Sequence, residues 1–353
     1  MNNFRFRHTL TLMLATVFFW GCSDTSVSGD DSELSPMRFS TTSLTSRAVT
    51  TNESFLQTGN KFKVWGSYKS RTDASFKPTE VFDGVDVTRT SEGAWSYDEP
   101  RYWLPGFRYD FRAIHPVAIA DNVTYTIGES GNDTPTFIIT DYNAVDGQHD
   151  ILYAASGSID ASGSMKPVAL DFKHLLSRIT FVGTPEATLA SEGRIVYVRS
   201  AALYGMSRGG SWSAGDATGY GTWTTSAADL TGQDQPYAQV TFSGTECELT
   251  AEGVDLFPAS KPILMIPQAI GDNFYFQLDY FYNDDNTVFT QKVSLREISA
   301  ALTGGWQAGR SCRYRFTVGM SNNILFAAPM VDHWEDAEGG SYNVDLNLSL
   351  IHI

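Results

Sequence analysis

The feature that most constrains this chain is a two-residue alternation of apolar and polar side chains. In FRYDFR (107–112), every second residue is aromatic and the residues between them are charged. Successive side chains of a β-strand point to opposite faces, so this spacing predicts a strand with one aromatic and one charged face. The same alternation predicts further strands at residues 61–68, 194–201, 273–281 and 311–318.

Glycine-containing dipeptides between these segments predict turns, and helical spacing is rare. Residues 295–302 have helical spacing, with Gly304 placed to end the helix, and residues 172–179 have room for one helical turn before a strand. Many short strands, together with 16 Tyr, 22 Phe and 30 Gly, predict an all-β chain of β-sandwich architecture. The turns are predicted at 83–84, 105–106, 146–147, 209–210 and 304–305.

The length of the chain predicts two domains. The 353 residues include an N-terminal segment without strand pattern, and the remaining roughly 310 residues are too many for one ordinary sandwich. The small, polar run at 156–167 is the weakest point of the pattern. We therefore expect an N-terminal β-sandwich domain at 37–165 and a C-terminal one at 166–353.

The N-terminus has the pattern of an export signal. Arg5 and Arg7 precede an uncharged run at 9–20, which has the length of a signal-peptide core and is too short to span a bilayer. We interpret residues 1–21 as a signal peptide. Residues 22–36, which are small, polar and acidic, are interpreted as a solvated tether.

Cys22 directly follows the small residue Gly21, and this arrangement resembles the bacterial lipobox. The cysteine of a lipobox becomes the new N-terminus and carries acyl chains, which predicts lipidation of Cys22 and attachment to a membrane without a spanning helix. Phe19 and Trp20 stand where a lipobox has small or branched aliphatic residues. The formal charge of −15 argues against nucleic acid as a partner.

Two further cysteines, Cys247 and Cys312, leave two alternatives open. They could form a disulfide in an oxidising compartment, or they could be two buried free thiols. Neither belongs to a C-x-x-C motif, so the sequence predicts no zinc site and no cofactor.

Candidate catalytic and metal-binding motifs have simpler structural interpretations. Ser207 lies in a formal G-x-S-x-G motif, but the loop-like residues that follow lack the required helix. His174 is interpreted as a core histidine, and Asp171 nearby is a candidate for its partner. The acidic loops at 141–147 and 282–286 are interpreted as turns between strands rather than as calcium loops. We therefore expect no enzymatic activity.

An aromatic cluster around two prolines has two interpretations. Tyr97, Tyr102 and Trp103 could contact a sugar or protein ligand, or their rings could cap one end of a sandwich core. The second interpretation is favoured on general grounds, because large aromatic residues are mostly buried.

The order of several motifs resembles the fimbrillin family of Bacteroidales, the Mfa-like, type V pilin lipoproteins. The resemblance spans roughly residues 37–345 and implies two tandem transthyretin-like β-sandwich domains, a lipoprotein signal and assembly into surface fimbriae. Cys312 stands where the family has an aromatic residue. The motifs that carry the resemblance are FKVWGSY (62–68), WLPGFRYDFRAIHP (103–116), DILYAAS (150–156), LDFKHLLSRITFVG (170–183), ILMIPQ (263–268), WQAGRSCRYRFTV (306–318) and VDHWED (331–336).

The resemblance also implies proteolysis and strand exchange. In polymerising members a protease cuts after an arginine that follows the first strand, and a strand of the next subunit fills the groove that is left. Here the first strand would be 37–44, with Met37 and Phe39 as its residues for strand exchange, and the cut would fall between Arg47 and Ala48. Arg47 could equally be an ordinary exposed loop residue.

The C-terminal segment at 341–353 is a second candidate for strand exchange. It is either the last strand of the second sandwich, which we favour, or a donor strand for a neighbouring subunit. Its alternating apolar residues are Tyr342, Val344, Leu346, Leu348 and Leu350.

Taken together, these features predict a fimbrial subunit of the bacterial outer membrane, assembled by strand donation after removal of its lipidated N-terminus and contributing to adhesion. The expected partners are other fimbrial subunits, the outer membrane through the lipid on Cys22, and surface glycans or proteins. The alternative is an outer-membrane surface lipoprotein that binds glycan or protein ligands without forming a fibre.

Overall fold

The computed structural model describes residues 34–41, 52–130, 134–144, 149–161, 165–215, 220–226, 235–258 and 262–334. These residues form short helices and many strands. The helices are α1 (Asn52–Phe55), α2 (Ala187–Ser191) and α3 (Leu295–Ile298), with a 3-10 helix at Val117–Asn122. The all-β class predicted from the alternation is confirmed.

The strands divide into two runs along the chain. The first run is β1 (Phe39–Thr41), β2 (Lys61–Ser70), β3 (Thr79–Arg89), β4 (Trp95–Ser96), β5 (Phe107–His115), β6 (Val123–Thr126), β7 (Thr136–Asn143), β8 (Leu152–Asp160), β9 (Val168–Leu170) and β10 (Lys173–His174). The second run is β11 (Ser177–Pro185), β12 (Val196–Tyr204), β13 (Gly209–Ser213), β14 (Thr222–Thr225), β15 (Ala238–Thr241), β16 (Val254–Asp255), β17 (Ile263–Met265), β18 (Tyr275–Tyr282), β19 (Asp285–Ser294), β20 (Arg310–Val318), β21 (Ile324–Phe326) and β22 (Met330–His333).

The described strands form five sheets. A six-stranded antiparallel sheet has the order β10-β8-β5-β2-β3-β4, and a second six-stranded sheet has the path β16-β11-β20-β21, with β17 on β11 and β22 on β20. Two four-stranded sheets have the orders β15-β12-β18-β19 and β14-β13-β7-β6. The first strand, β1, pairs in parallel with β9 as a separate two-stranded sheet.

The strands predicted from alternation are present, with shifted ends. Strand β18 buries every second residue, namely Phe276, Leu278, Tyr280 and Tyr282, because one face lies on the core and the other does not. The acidic loop at 282–286 is the predicted turn, since Tyr282 pairs with Asp285 in the hairpin between β18 and β19.

The six-stranded sheet that contains β5 is covered on both faces. On β2, Val64 belongs to one hydrophobic cluster and its neighbour Trp65 belongs to the other, and Phe111 and Ile114 on β5 divide in the same way. The charged face expected for β5 is therefore partly wrong. Arg112 is 3% exposed, and it contacts the carboxylate of Asp110 and donates to the carbonyl of Phe111 over 3.2 Å.

Several short-range predictions are wrong because pairing between strands overrides the local signal. The dipeptide at 83–84, expected to form a turn, lies inside β3, and the dipeptide at 209–210 lies inside β13. The helical turn expected at 172–179 is absent, because β10 and the start of β11 occupy that segment. The turns at 105–106 and 304–305 contain glycines with positive φ, as turns require. The turn at 146–147 lies outside the described residues.

The helix predicted at 295–302 is present in shortened form as α3. The side chain of Ser294 caps it by accepting a hydrogen bond from the backbone N–H of Glu297 over 3.4 Å. Leu295 and Ile298 are buried, so this single turn is held by packing on the core rather than by its length.

The expected domain boundary at 165/166 stays a prediction. Three pairings cross it: β9 pairs with β1, β10 pairs with β8, and β13 pairs with β7. The smaller of the two hydrophobic clusters contains Val168, Leu170 and Phe172 together with residues from the first strands. Residues on the C-terminal side of 165 therefore complete the packing around β1.

Candidate functional site

The candidate site is the seat of β1, the first strand that the structure describes. Met37 and Phe39 are 2% and 4% exposed, whereas Arg38 between them is exposed. This is the alternation of a strand with one face on a core. The seat around Met37 and Phe39 is called the β1 groove below.

The floor of the β1 groove is aromatic. The ring of Phe39 makes edge-to-face contacts with four neighbouring rings, a geometry that aromatic quadrupoles favour. These rings come from β2, β3 and β5 and from the segment after β4, so the groove depends on segments that are far apart in sequence. The centroid distances from Phe39 are 6.4 Å to Phe62, 5.4 Å to Phe82, 5.9 Å to Tyr97 and 5.7 Å to Phe111.

Backbone hydrogen bonds hold the two residues that directly precede β1 on both sides. The N–H of Val168 donates to the carbonyl of Arg38, and the N–H of Met37 donates to the carbonyl of Arg101, each over 2.7 Å. The hydroxyl of Tyr97 donates to the carbonyl of Met37 over 2.9 Å. Burial raises the pKa of Tyr97, which keeps this hydroxyl protonated as a donor.

This arrangement is a short strand whose apolar residues are seated in a groove lined by other segments. Burying Met37 and Phe39 stabilises the seated strand by about 1.5–3 kcal/mol each, and the backbone hydrogen bonds set its register. Any extended segment with apolar residues at alternate positions meets the same requirements. In the structure this groove holds Met37 and Phe39.

The residues that bear on processing lie outside the described part of the chain. This applies to the expected lipidation site Cys22, to the expected cleavage site at Arg47 and Ala48, and to the C-terminal segment. Its alternating residues Tyr342, Val344, Leu346, Leu348 and Leu350 are likewise outside. Of the residues named for strand exchange, the structure describes Met37 and Phe39.

The aromatic cluster at Tyr97, Tyr102 and Trp103 borders the β1 groove. Trp103 is 3% exposed and packs on Tyr109 at 4.8 Å between ring centroids, and Tyr97 packs on Phe82. Tyr102 is 48% exposed. Two of the three rings are thus part of the core around β1, and only Tyr102 has a largely exposed side chain for a ligand.

Cys247 and Cys312 are both free and buried. Burial raises the pKa of the Cys247 thiol to about 11 and that of the Cys312 thiol to about 12. Both are therefore thiols rather than thiolates at neutral pH, and a thiol is a poor nucleophile. Of the two alternatives open at the sequence level, the structure has two buried free thiols.

His174 is a buried core histidine, and its partner is Asp150 rather than the candidate Asp171. Nδ1 of His174 lies 2.9 Å from a carboxylate oxygen of Asp150, and both side chains are 1% exposed. Asp171 is exposed. The ring of His174 also stacks on Trp334 at 4.3 Å. Pairing of His174 with Leu152 on β8 brings Asp150 close, although it is remote in sequence.

Ser207 does not have the geometry of a nucleophile. It is 1% exposed, and its hydroxyl donates to the carbonyls of Gly209 and Ser226 over 3.0 Å each. Of the acidic residues at 141–147, Asp141 and Asn143 lie on β7 and Asp146 is outside the described residues. Within the described ranges there is no group of three or more His, Cys, Asp or Glu that could hold a metal ion.

The structure is that of an all-β protein. Its first described strand completes a core that is made by later strands. The chain belongs to the fimbrillin-like family, whose family model matches residues 46–334. This confirms the resemblance drawn from the sequence motifs. Comparison with curated proteins gave no match.

Solved structures of two Bacteroides proteins share the fold. A fimbrial protein from Bacteroides vulgatus superposes with a TM-score of 0.63 at 14% identity, covering 85% of this chain and 99% of its own. A candidate cell adhesion protein from Bacteroides uniformis superposes with a TM-score of 0.50 at 13% identity, covering 85% of this chain and 98% of its own. At these identities the likeness concerns the fold.

The family is one of fimbrial and adhesion proteins rather than an enzyme family. Among the described residues no helix is long and apolar enough to cross a membrane. Only part of the β1 groove could be predicted from the sequence. The sequence identified Met37 and Phe39, but not the aromatic rings around them, because those rings lie on segments that share no sequence motif.

Proposed function

We propose that this chain is a subunit of a surface fimbria that contributes to adhesion and assembles by strand exchange at the β1 groove. In this proposal β1 occupies the groove before assembly, and a strand of the neighbouring subunit replaces it afterwards. The observation that carries the proposal is the burial of Met37 and Phe39 in a groove built by residues from other strands.

The proposal includes two processing steps before assembly. Cys22 is lipidated and holds the precursor at the outer membrane, and a protease then cuts between Arg47 and Ala48. The chain runs from β1, which ends at Thr41, to α1, which begins at Asn52, so a cut after Arg47 separates β1 from the rest of the core. The released strand then keeps its place only through its hydrogen bonds and its two buried side chains.

The candidate for the replacement strand is the C-terminal segment of a neighbouring subunit, which is the alternative to its favoured assignment as the last strand of the second sandwich. Its alternating apolar residues, Tyr342 to Leu350, match the alternation of Met37 and Phe39. Deletion of residues 341–353 separates a donor strand from a core strand. A donor strand predicts a folded monomer that forms no fibres, whereas loss of folding contradicts the donor role.

The cleavage step is tested with Arg47→Gln in cells that express this chain. We expect Arg47→Gln to keep its lipid and to form no fibres in electron microscopy, because β1 stays covalently attached. The matched control is Arg38→Gln, which removes an exposed arginine from the same segment and leaves the cut unaffected. Fibres formed by Arg47→Gln as abundantly as by the control would contradict the proposal and favour a surface lipoprotein that does not polymerise.

A further inference from the structure

A cleft whose residues are remote from β1 in sequence is formed by two adjoining cavities of about 370 and 560 Å³. The two cavities share three lining residues, namely Trp306, Gln307 and Arg310. Volumes of this size are typical of sites for small ligands. The cleft is called the Arg310 cleft below.

The charge of the Arg310 cleft is opposite to that of the chain. The chain has 40 Asp and Glu against 25 Lys and Arg, yet Arg310 is the one charged residue among the described residues that line the two cavities. Arg310 is half-buried and forms no ion pair with a described residue. Arg194 and Arg108, in contrast, are each paired with an aspartate. A cation in this position favours a carboxylate or another anion as ligand.

The aromatic walls of the cleft are fixed from behind. Nε1 of Trp223 donates to the carbonyl of Leu175 over 2.8 Å, and Nε1 of Trp306 donates to the hydroxyl of Tyr314 over 3.1 Å. Because both indole N–H groups are satisfied within the protein, the orientation of the rings does not depend on a ligand. Ordering these side chains on binding therefore costs little entropy.

A third ring, that of Tyr220, lines the larger cavity next to Gly309. Gly309 has a positive φ, and a Cβ there would lie 2.7 Å from the ring. Glycine thus allows the close approach of the ring to the start of β20. Lys173 lies above the same ring, with its amine 5.3 Å from the centroid, which places a second positive charge near the larger cavity.

Hydroxyl and amide groups complete the larger cavity. Thr222 and Thr225 on β14 and Gln307 are exposed and line it. A pyranose ring offers an apolar C–H face for aromatic rings and hydroxyls for side-chain hydrogen bonds, and a uronic or sialic acid adds a carboxylate for Arg310. We infer that the Arg310 cleft binds an acidic oligosaccharide, with its carboxylate on the Arg310 guanidinium and its sugar rings against Tyr220 and Trp223.

The inference names a ligand class for the adhesive part of the proposed function and is tested without assembly. Binding of a galacturonic acid tetramer, a hyaluronan tetrasaccharide and sialyllactose to the purified full-length protein is measured by calorimetry. The methyl ester of each acid serves as the matched neutral ligand. We expect at least one acid to bind and its ester to bind at least about tenfold more weakly, since the charge-assisted hydrogen bond is lost.

Arg310→Gln is expected to lower the affinity for the same acid by at least about tenfold and to leave the affinity for its ester unchanged. The matched control is Arg315→Gln, an exposed arginine on the same strand outside the cleft, which is expected to bind as the unaltered protein does. Thermal unfolding of both variants checks that each is folded, and Arg310→Lys is expected to recover part of the affinity if folding of Arg310→Gln is impaired.

Three results with the acids, their esters and the two variants would overturn the inference. They are no binding of any of the three acids, equal affinity for acid and ester, or equal loss of affinity in Arg310→Gln and Arg315→Gln. Preference for a tetraglutamate peptide over all three acids would also overturn it and assign the cleft to an acidic peptide. Failure of fibre assembly leaves these measurements unaffected, because they use the protein before assembly.

Discussion

Replacement of Phe39 by alanine tests how strongly β1 is held in its groove. The Phe39 ring is 4% exposed and contacts the rings of Phe62, Phe82, Tyr97 and Phe111. Truncation of a buried phenylalanine to alanine costs about 3–5 kcal/mol, from lost transfer free energy and from the cavity that is left. We expect the free energy of unfolding of the region around β1 to fall by this amount.

The magnitude depends on whether β1 leaves its groove independently of the rest of the fold. If it does, Phe39→Ala lowers the free energy of local opening, and the effect is seen by hydrogen exchange at the amides that hold β1. These are the N–H groups of Met37 and Val168, which donate to the carbonyls of Arg101 and Arg38. A loss of about 3 kcal/mol corresponds to roughly a hundredfold faster exchange at both amides.

Two assays and one control make the test decisive. Urea unfolding measures global stability, and hydrogen exchange followed by mass spectrometry measures opening of β1. The control is Arg38→Ala, which removes an exposed side chain from the same strand and is expected to change stability by less than about 0.5 kcal/mol. If Phe39→Ala and Arg38→Ala change both quantities equally, the packing of Phe39 does not hold β1 and the reasoning is refuted.

Two further predictions concern buried polar groups. Asp150→Ala removes the carboxylate next to Nδ1 of His174 and is expected to lower the free energy of unfolding by about 2 kcal/mol or more. The control Asp171→Ala, at an exposed position, is expected to have little effect on it. Equal losses of stability in urea unfolding would contradict Asp150 as the partner of His174. The two buried cysteines, whose pKa values burial raises to about 11 and about 12, are expected to resist a thiol reagent at pH 8 while the protein is folded and to react after unfolding without a reductant. Rapid labelling of Cys247 or Cys312 in the folded protein would contradict their burial, and no labelling of either after unfolding would indicate a disulfide.

Strands could be predicted from the sequence where one face lies on the core and the other face is more exposed. Alternation identified β18 and β1, because one face of each lies on the core. It misjudged Arg112 on β5, since a second layer covers the face that was expected to meet water. A pattern within one strand carries no information about which sheet covers its other face.

Features made by pairing between distant segments could not be predicted from local motifs. Gly210 was interpreted as part of a turn, yet it lies in β13, where a Cβ would come within 2.7 Å of the Thr224 carbonyl oxygen. Its role is the close approach of two strands rather than a reversal of the chain. The partner of His174 and the lining of the Arg310 cleft depend in the same way on neighbours that only the fold brings together.

The central claim is that β1 is a temporary occupant of its groove, and N-terminal sequencing of subunits from assembled fibres tests it most directly. Fibres are isolated from cells labelled with a radioactive fatty acid, and the subunits are sequenced and counted for label. The account predicts that fibre subunits begin at Ala48 and carry no label, while the membrane-bound precursor is labelled. Fibre subunits that retain the segment from Cys22 to Arg47, together with its lipid, would contradict it.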